Sequence, residues 1–122
     1  MQKLNEHELW LSIANNDLQA AKVLLQGKLY STGIYHCQQV AEKSLKGYLA
    51  FKEQDILKIH DLVALAKQCI QLDQSFYSIV ESAEELKPWS TRSRYPDDFV
   101  EVEKSELQKA IEQAEQIFLF IK

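Results

Sequence analysis

Apolar residues recur every three or four positions along most of the chain, the spacing that predicts amphipathic α-helices. From about residue 6 to 26 one such stripe predicts a first helix, which Gly27 is expected to end. Ser31 or Thr32 is a suitable N-cap for a second helix running to about residue 52. The predicted inward residues are Trp10, Ile13, Ala14, Leu18, Ala21, Leu24 and Leu25 in the first helix, and Ile34, Cys37, Ala41, Leu45, Tyr48 and Leu49 in the second.

Three further helices are predicted in the second half of the chain. Asp61 can cap a third helix, Asp73 restarts the pattern for a fourth, and a last one runs to about residue 121. The expected fold is an all-α, up-and-down four-helix bundle with an additional short helix, in one domain over residues 1–122. The predicted inward residues are Leu62, Leu65, Ala66 and Cys69, then Phe76, Ile79, Val80, Ala83 and Leu86, then Leu107, Ile111, Ala114, Ile117, Phe118 and Ile121.

The stretch between residues 87 and 103 fits no helical period. It nevertheless carries three aromatic residues, Trp89, Tyr95 and Phe99, and both arginines of the chain, Arg92 and Arg94. Disordered segments rarely hold so many aromatics, and long loops inside small domains often carry function. We therefore expect this loop to be ordered and functional.

Composition narrows the classes of function. A net charge of -4 argues against generic nucleic-acid binding, which needs a broad positive surface. No apolar run predicts a membrane span or a secretion signal, so we expect a cytoplasmic protein. Cys37 and Cys69 lie at apolar helical positions and are expected to be free core thiols. No Gly-rich phosphate loop, Glu-x-x-His pair or Cys/His cluster is present, so we expect neither a metal nor a cofactor.

Asp17 is an unusual residue of the first helix, because its position projects among Ile13, Ala14 and other inward side chains. An unpaired buried carboxylate would cost several kcal/mol. Asp17 should therefore keep water, take up a proton, or meet a partner from elsewhere in the fold. The candidate partners are Arg92, Arg94, His60 and Tyr95. The alternative is that Asp17 lies at the edge of the stripe and is solvated.

Four polar residues of the second helix, His36, Gln39, Lys43 and Lys46, share the side opposite its apolar stripe. Such a set is usually the solvated face of a bundle helix. The alternative is a shallow site for a phosphate or an acidic partner, built from two ammonium groups and two hydrogen-bonding side chains. Glu42 could pair with Lys46 at one-turn spacing, which would lower the available positive charge.

Arg92, Arg94 and Tyr95 form the third candidate cluster, in the loop before Pro96. Arginine forks can grip a phosphate or carboxylate, while Pro96 biases Tyr95 to an extended conformation. The structural alternative is that one arginine neutralises a bundle carboxylate such as Asp17.

These elements occur together in an order that resembles a known family. They are Asp17-Leu18, Ala21 and Leu24-Leu25, then His36, Gln39, Ala41-Glu42-Lys43 and Lys46, then His60-Asp61-Leu62, and finally Ser93-Arg94-Tyr95-Pro96. Over nearly its whole length the chain resembles the HEPN (higher eukaryotes and prokaryotes nucleotide-binding) domains. The resemblance implies a helical bundle that forms a homodimer and is paired with a minimal nucleotidyltransferase, often as a toxin–antitoxin module.

Catalytically active HEPN domains are metal-independent RNases with an Arg, four to six residues, then His motif near the last helices. This chain departs from that motif, because its three histidines are His7, His36 and His60, all before Arg92. The resemblance therefore leaves enzyme activity open.

Three hypotheses follow. The first is a non-catalytic module that binds a nucleotide or RNA phosphate near Arg92, Arg94, Lys43 and Lys46. The second is a divergent RNase in which Arg94 stabilises the transition state and Tyr95 or His60 serves in acid–base roles. The third is a purely structural dimerisation protein.

Overall fold

The computed structural model describes residues 5–56 and 61–122, and within these ranges the chain is all-α. It contains α1 (Glu6–Gln26), α2 (Tyr30–Phe51), α3 (Leu62–Leu72), α4 (Val80–Leu86) and α5 (Lys104–Ile121). Short 3-10 turns cover Gln74–Ile79, Lys87–Ser90 and Pro96–Asp98. The predicted all-α bundle with an additional short helix is confirmed.

The central element is α2, which packs against α1, α3, α4 and α5. Two glycines allow this close packing. A Cβ built on Gly33 would lie 2.8 Å from Cδ2 of Leu107 on α5, and one built on Gly47 would lie 3.2 Å from Cβ of Trp10 on α1. Since real Cβ atoms essentially never approach as closely as at Gly33, a larger residue there would force Leu107 to move. The helix is therefore enclosed on several sides, which a one-sided amphipathic pattern did not predict.

Most predicted inward residues do form the core. Those that are buried include Ala14, Leu18, Ala21, Ile34, Cys37, Ala41, Leu45, Leu49, Leu62, Leu65, Ala66, Cys69, Phe76, Ile79, Ala83, Leu86, Leu107, Ile111, Ala114, Ile117 and Phe118. Ile13 was predicted to face inward and is 43% exposed. This prediction was wrong because the apolar surface of α1 is wider than the part that its neighbours cover.

The end of α1 was predicted correctly, but the start of α2 was not. Gly27 does end α1, and the next residue, Lys28, turns the chain with φ 61. The predicted N-cap at Ser31 or Thr32 is wrong, because α2 already begins at Tyr30. The tight turn lets the Gly33 amide donate to the Leu29 carbonyl at 2.9 Å, so the helix starts earlier than side-chain capping preferences suggest.

Asp61 caps α3 as predicted, accepting from the backbone amides of Val63 at 2.9 Å and Ala64 at 3.3 Å. Asp73 also restarts the pattern, with its carboxylate accepting from the Ser75 amide at 2.9 Å. The predicted fourth helix has two parts. Its first half, Gln74–Ile79, is a 3-10 turn, and only its second half, Val80–Leu86, is α-helical.

Among the described residues, no helix has both the length and the apolar character needed to cross a membrane.

Candidate functional site

A cleft of about 380 Å³ lies between α2 and the segment that joins α4 to α5. Three residues of the predicted set line it: Gln39, Arg94 and Tyr95. Tyr35 and Glu42 also line it and were missed, although their spacing with Gln39 puts all three on one side of α2. The remaining lining residues are Ser90 and Thr91.

The Arg94 guanidinium lies close to two tyrosine rings. Its Nη1 donates to the Tyr35 hydroxyl at 3.0 Å, and its Cζ is 4.5 Å from the Tyr35 ring centroid and 5.4 Å from that of Tyr95. Within the described residues this uses one of the five N–H donors of the guanidinium. The aromatic contacts hold the guanidinium at the cleft, and its other donors can meet an anion.

The segment that carries Arg94 is ordered by its own hydrogen bonds, as expected. The amides of Arg94 and Tyr95 donate to the Thr91 carbonyl at 3.0 and 3.1 Å, and the Val100 amide donates to the Arg92 carbonyl at 2.8 Å. The Thr91 hydroxyl also donates to Asp98. Tyr95 is extended before the proline, with φ -108 and ψ 131. The Arg92 side chain does not line the cleft and is exposed, within the part of the chain that the structure describes.

Asp17 points between α1 and α2 and contacts two residues of α2. His36 Nδ1 lies 2.7 Å from one carboxylate oxygen and Lys43 Nζ 2.7 Å from the other. Because an ionised carboxylate only accepts, Nδ1 must carry the proton in this contact. Asp17 was thus correctly predicted to face inward, but within the described residues none of Arg92, Arg94 and Tyr95 pairs with it. The other candidate partner, His60, lies outside the described residues.

Asp17 and Arg94 are connected through two rings. The His36 ring packs edge to face against the Tyr35 ring, with centroids 5.6 Å apart, and Tyr35 in turn contacts Arg94. We call Lys43, Asp17, His36, Tyr35 and Arg94 the polar row. The polar row connects α1, α2 and the loop through successive side-chain contacts.

Lys46 is not on a solvated face. Its side chain is 7% exposed and pairs with Glu42, which is 4% exposed, at 3.0 Å, confirming the one-turn pair suggested by the spacing. The Lys46 ammonium also lies 5.5 Å from the ring centroid of Trp10. Gln38 donates to the other Glu42 oxygen at 3.4 Å and accepts from Gln39 at 2.7 Å. A chain of polar contacts thus runs from the cleft into the bundle.

The two thiols are free and buried. Burial raises the pKa of Cys37 to about 12 and that of Cys69 to about 12. Both are therefore held as thiols, which are poor nucleophiles. Within residues 5–56 and 61–122, no three His, Cys, Asp or Glu side chains form a group that could hold a metal ion.

The sequence and the fold were compared with those of known proteins. The HEPN domain model matches residues 7–122. A relative from Methanocaldococcus jannaschii, named "Putative toxin MJ1304", is 25% identical, with the match covering 94% of this chain and 85% of the relative.

Two solved structures share the fold. TT1696 from Thermus thermophilus superposes with a TM-score of 0.84 at 25% identity, covering 97% of each chain. ST0689, described as an archaeal HEPN homologue, superposes with a TM-score of 0.78 at 27% identity, covering 97% of this chain and 96% of the other. Since the family model spans nearly the whole sequence and the fold agrees, this chain belongs to the HEPN domain family.

Proposed function

We propose that this HEPN domain is a binding module whose cleft holds the phosphate of a nucleotide or of RNA. In this proposal it works in the cytoplasm as a homodimer and associates with a minimal nucleotidyltransferase in a toxin–antitoxin pair. The toxin name of the Methanocaldococcus relative supports that context.

The observation that carries the proposal is the position of Arg94 in the cleft. A guanidinium that contacts both Tyr35 and Tyr95 and has further donors suits the bidentate recognition of phosphate. The two predicted lysines have a structural role in this proposal and do not contact the ligand. Lys43 and Lys46 are each paired with a carboxylate, so we assign them to holding the site together while Arg94 contacts the ligand.

The test compares thermal melting of Arg94→Ala with the unchanged protein in the presence of ATP, GTP or a short RNA. At a hundredfold excess over the dissociation constant, bound ligand should add roughly 2.7 kcal/mol to the stability of the unchanged protein. Arg94→Ala should lose this shift, and Arg94→Lys should recover only part of it because an ammonium lacks the fork.

Arg92→Ala is the matched control, since it removes an exposed guanidinium two residues away that does not line the cleft. It should keep the shift. Equal shifts in Arg94→Ala and Arg92→Ala, or no shift with any ligand, would reject phosphate binding at this cleft.

A metal-independent RNase activity is the second candidate, favoured by the toxin relative and by the phenol of Tyr95 beside Arg94. In this candidate Tyr95 or His60 takes the acid–base role, and Tyr95 lies beside Arg94. Labelled RNA should then be cleaved without metal by the unchanged protein but not by Arg94→Ala or Tyr95→Phe. Cleavage at equal rates by all three would place any activity elsewhere.

A further inference from the structure

The two walls of the cleft offer different hydrogen-bonding groups to a ligand. On the side of the loop, Arg94 brings a guanidinium, which only donates. On the side of α2, Gln39 brings a side-chain amide, which has both a donating nitrogen and an accepting oxygen. Which of these two atoms faces the cleft decides what group of a ligand can bind there.

Contacts beneath the cleft fix the orientation of that amide. The carboxylate of Glu42, ionised beside Lys46, can only accept, so the Gln38 Nε2 that lies 3.4 Å from it must donate. Gln38 therefore turns its oxygen to Gln39, whose Nε2 donates to it at 2.7 Å. A reversed amide at Gln39 would bring two oxygens together beside the fully buried Gln38. We call Glu42, Gln38 and Gln39 the amide relay, which leaves the Gln39 oxygen directed away from Gln38.

The Gln39 oxygen is open to a ligand. Within the described part of the chain no group donates a hydrogen bond to it, and the side-chain atom that is both buried and unpartnered there is Ser44 Oγ. Since Gln39 lines the cleft, its oxygen gives the cleft a fixed acceptor. A bare anion has no donor to offer this acceptor. The arrangement therefore favours a ligand that carries an N–H or O–H donor besides its anionic group.

The spacing along α2 indicates which donor this is. Tyr35, which contacts Arg94, and Gln39 are four residues apart, so they lie on successive turns with Cβ atoms about 5–6 Å apart. A phosphate on Arg94 and a donor on Gln39 would be separated by a similar distance. In a nucleotide the ribose hydroxyls lie between the phosphate and the base, so they are nearer to the phosphate than the amino groups of the base. In an RNA strand the 3′ oxygen is esterified, which leaves the 2′-hydroxyl as the ribose donor.

We propose that Gln39 accepts a hydrogen bond from the ribose 2′-hydroxyl of the ligand and so makes the cleft selective for ribonucleotides over deoxyribonucleotides. This inference rests on the phosphate site of the proposed function and adds the class of sugar to it. The 2′-hydroxyl is the group by which a protein can tell RNA from DNA. Glu42 and Gln38 are positioning residues, because they hold the accepting atom of Gln39 towards the cleft.

The test compares the dissociation constants of three oligonucleotides of one sequence made of A, C and G. They are RNA, DNA, and RNA with fluorine at the 2′ position, which removes the donor but keeps the sugar conformation of RNA. One hydrogen bond predicts a dissociation constant about 2- to 10-fold lower for RNA than for the other two. In Gln39→Met, which keeps the size of the side chain without its acceptor, RNA should bind no more tightly than DNA.

The matched control is Gln71→Met, at an exposed glutamine of α3 that does not line the cleft. It should keep the preference for RNA. The ratio of the RNA and DNA dissociation constants is the readout, because a loss of folded protein alone would not change it.

A second variant tests the amide relay. Glu42→Gln/Lys46→Met removes the ionised carboxylate that orients the relay, so both amides can reverse, and the preference for RNA should fall although Gln39 is retained. An unchanged preference in this variant would reject the positioning role of Glu42 and Gln38.

Equal binding of RNA and DNA by the unchanged protein would overturn the inference and leave the phosphate site standing. A preference for RNA that survives in Gln39→Met would do the same. Failure to bind any of the three oligonucleotides would overturn the proposed phosphate binding, and this inference with it.

Discussion

Glu42 and Lys46 form a pair of opposite charges that is almost fully withdrawn from water. Burying two charges is costly, and their mutual attraction offsets this only while both are present. In this chain the pair lies directly beneath the cleft, since Glu42 lines it. The negative charge that Glu42 would otherwise place next to a bound phosphate is therefore balanced by Lys46.

We predict that Lys46→Met destabilises the fold by about 1.5–3 kcal/mol, because it removes a charged hydrogen-bond partner from a buried carboxylate. The double variant Glu42→Gln/Lys46→Met should be more stable than Lys46→Met alone, since it also removes the buried charge that Lys46 balances. Urea unfolding of the two single variants and the double variant measures this coupling. Losses that simply add would show that the pair does not act as a unit.

The direction of the Asp17 side chain could be predicted from the sequence, but its partners could not. Its inward direction follows from helical spacing, which depends only on its own helix. Its partners depend on which side of α2 lies against α1, and that is set by the packing around Gly33 and Gly47. The late arginines were therefore reasonable partners in sequence, but His36 and Lys43 are the residues that contact it.

Among the elements, α3 begins at a cap whose charge can be tested. Partial burial raises the pKa of Asp61, but hydrogen bonds from the Ala64 amide, the Lys87 ammonium and the Val63 amide outweigh it, and the pKa is held below its ordinary value of 3.8. The folded state thus favours the ionised form. The stabilisation is present at neutral pH and is lost as pH falls from the ordinary pKa through the lowered one.

We expect Asp61→Ala to cost about 0.5–2 kcal/mol at pH 7 through loss of the cap. The difference from the unchanged protein should shrink as the pH falls below about 4, because the carboxylate that makes the difference becomes protonated. Thermal melts between pH 7 and pH 3 measure this. Asp61→Asn is the control, since it keeps an accepting oxygen without the charge. A difference that stays constant across the range would mean that the charge contributes nothing.

The elements also show why some boundaries were predicted and others were not. Gly27, Asp61 and Asp73 act through their own backbone or side-chain chemistry, so their roles are visible in the sequence. The start of α2 was misplaced because a tight turn, and not a capping side chain, begins it. The 3-10 turn before α4 was missed because its apolar spacing is also compatible with an α-helix.

For the whole molecule, the two buried thiols report on opening of the bundle. We predict that Cys37 and Cys69 react with a thiol reagent only as fast as the bundle opens, because both are inaccessible and have raised pKa values. Labelling should accelerate with urea, and Lys46→Met should react faster than the unchanged protein. Fast labelling in native buffer, at the rate of a small free thiol, would contradict this.

The fold as a whole was predictable because periodic apolar positions describe every helix. The cleft was only partly predictable. Arg94 and Tyr95 could be singled out because they lie in a segment without helical periodicity. Tyr35 could not, because it lies in a regular helix and lines the cleft only through the packing of the loop against α2. An amphipathic pattern predicts that a helix is buried on one side, whereas α2 packs against other helices on several sides.

The enclosure of α2 has a consequence for mutational studies. The same helix is the floor of the cleft and the axis around which the other helices are arranged, so most substitutions that alter binding from that side will also alter how much folded protein a cell accumulates. A screen for inactive variants would therefore return chiefly unstable ones from α2. Variants that separate recognition from folding should come from the short segment around Arg94, which rests on its own hydrogen bonds.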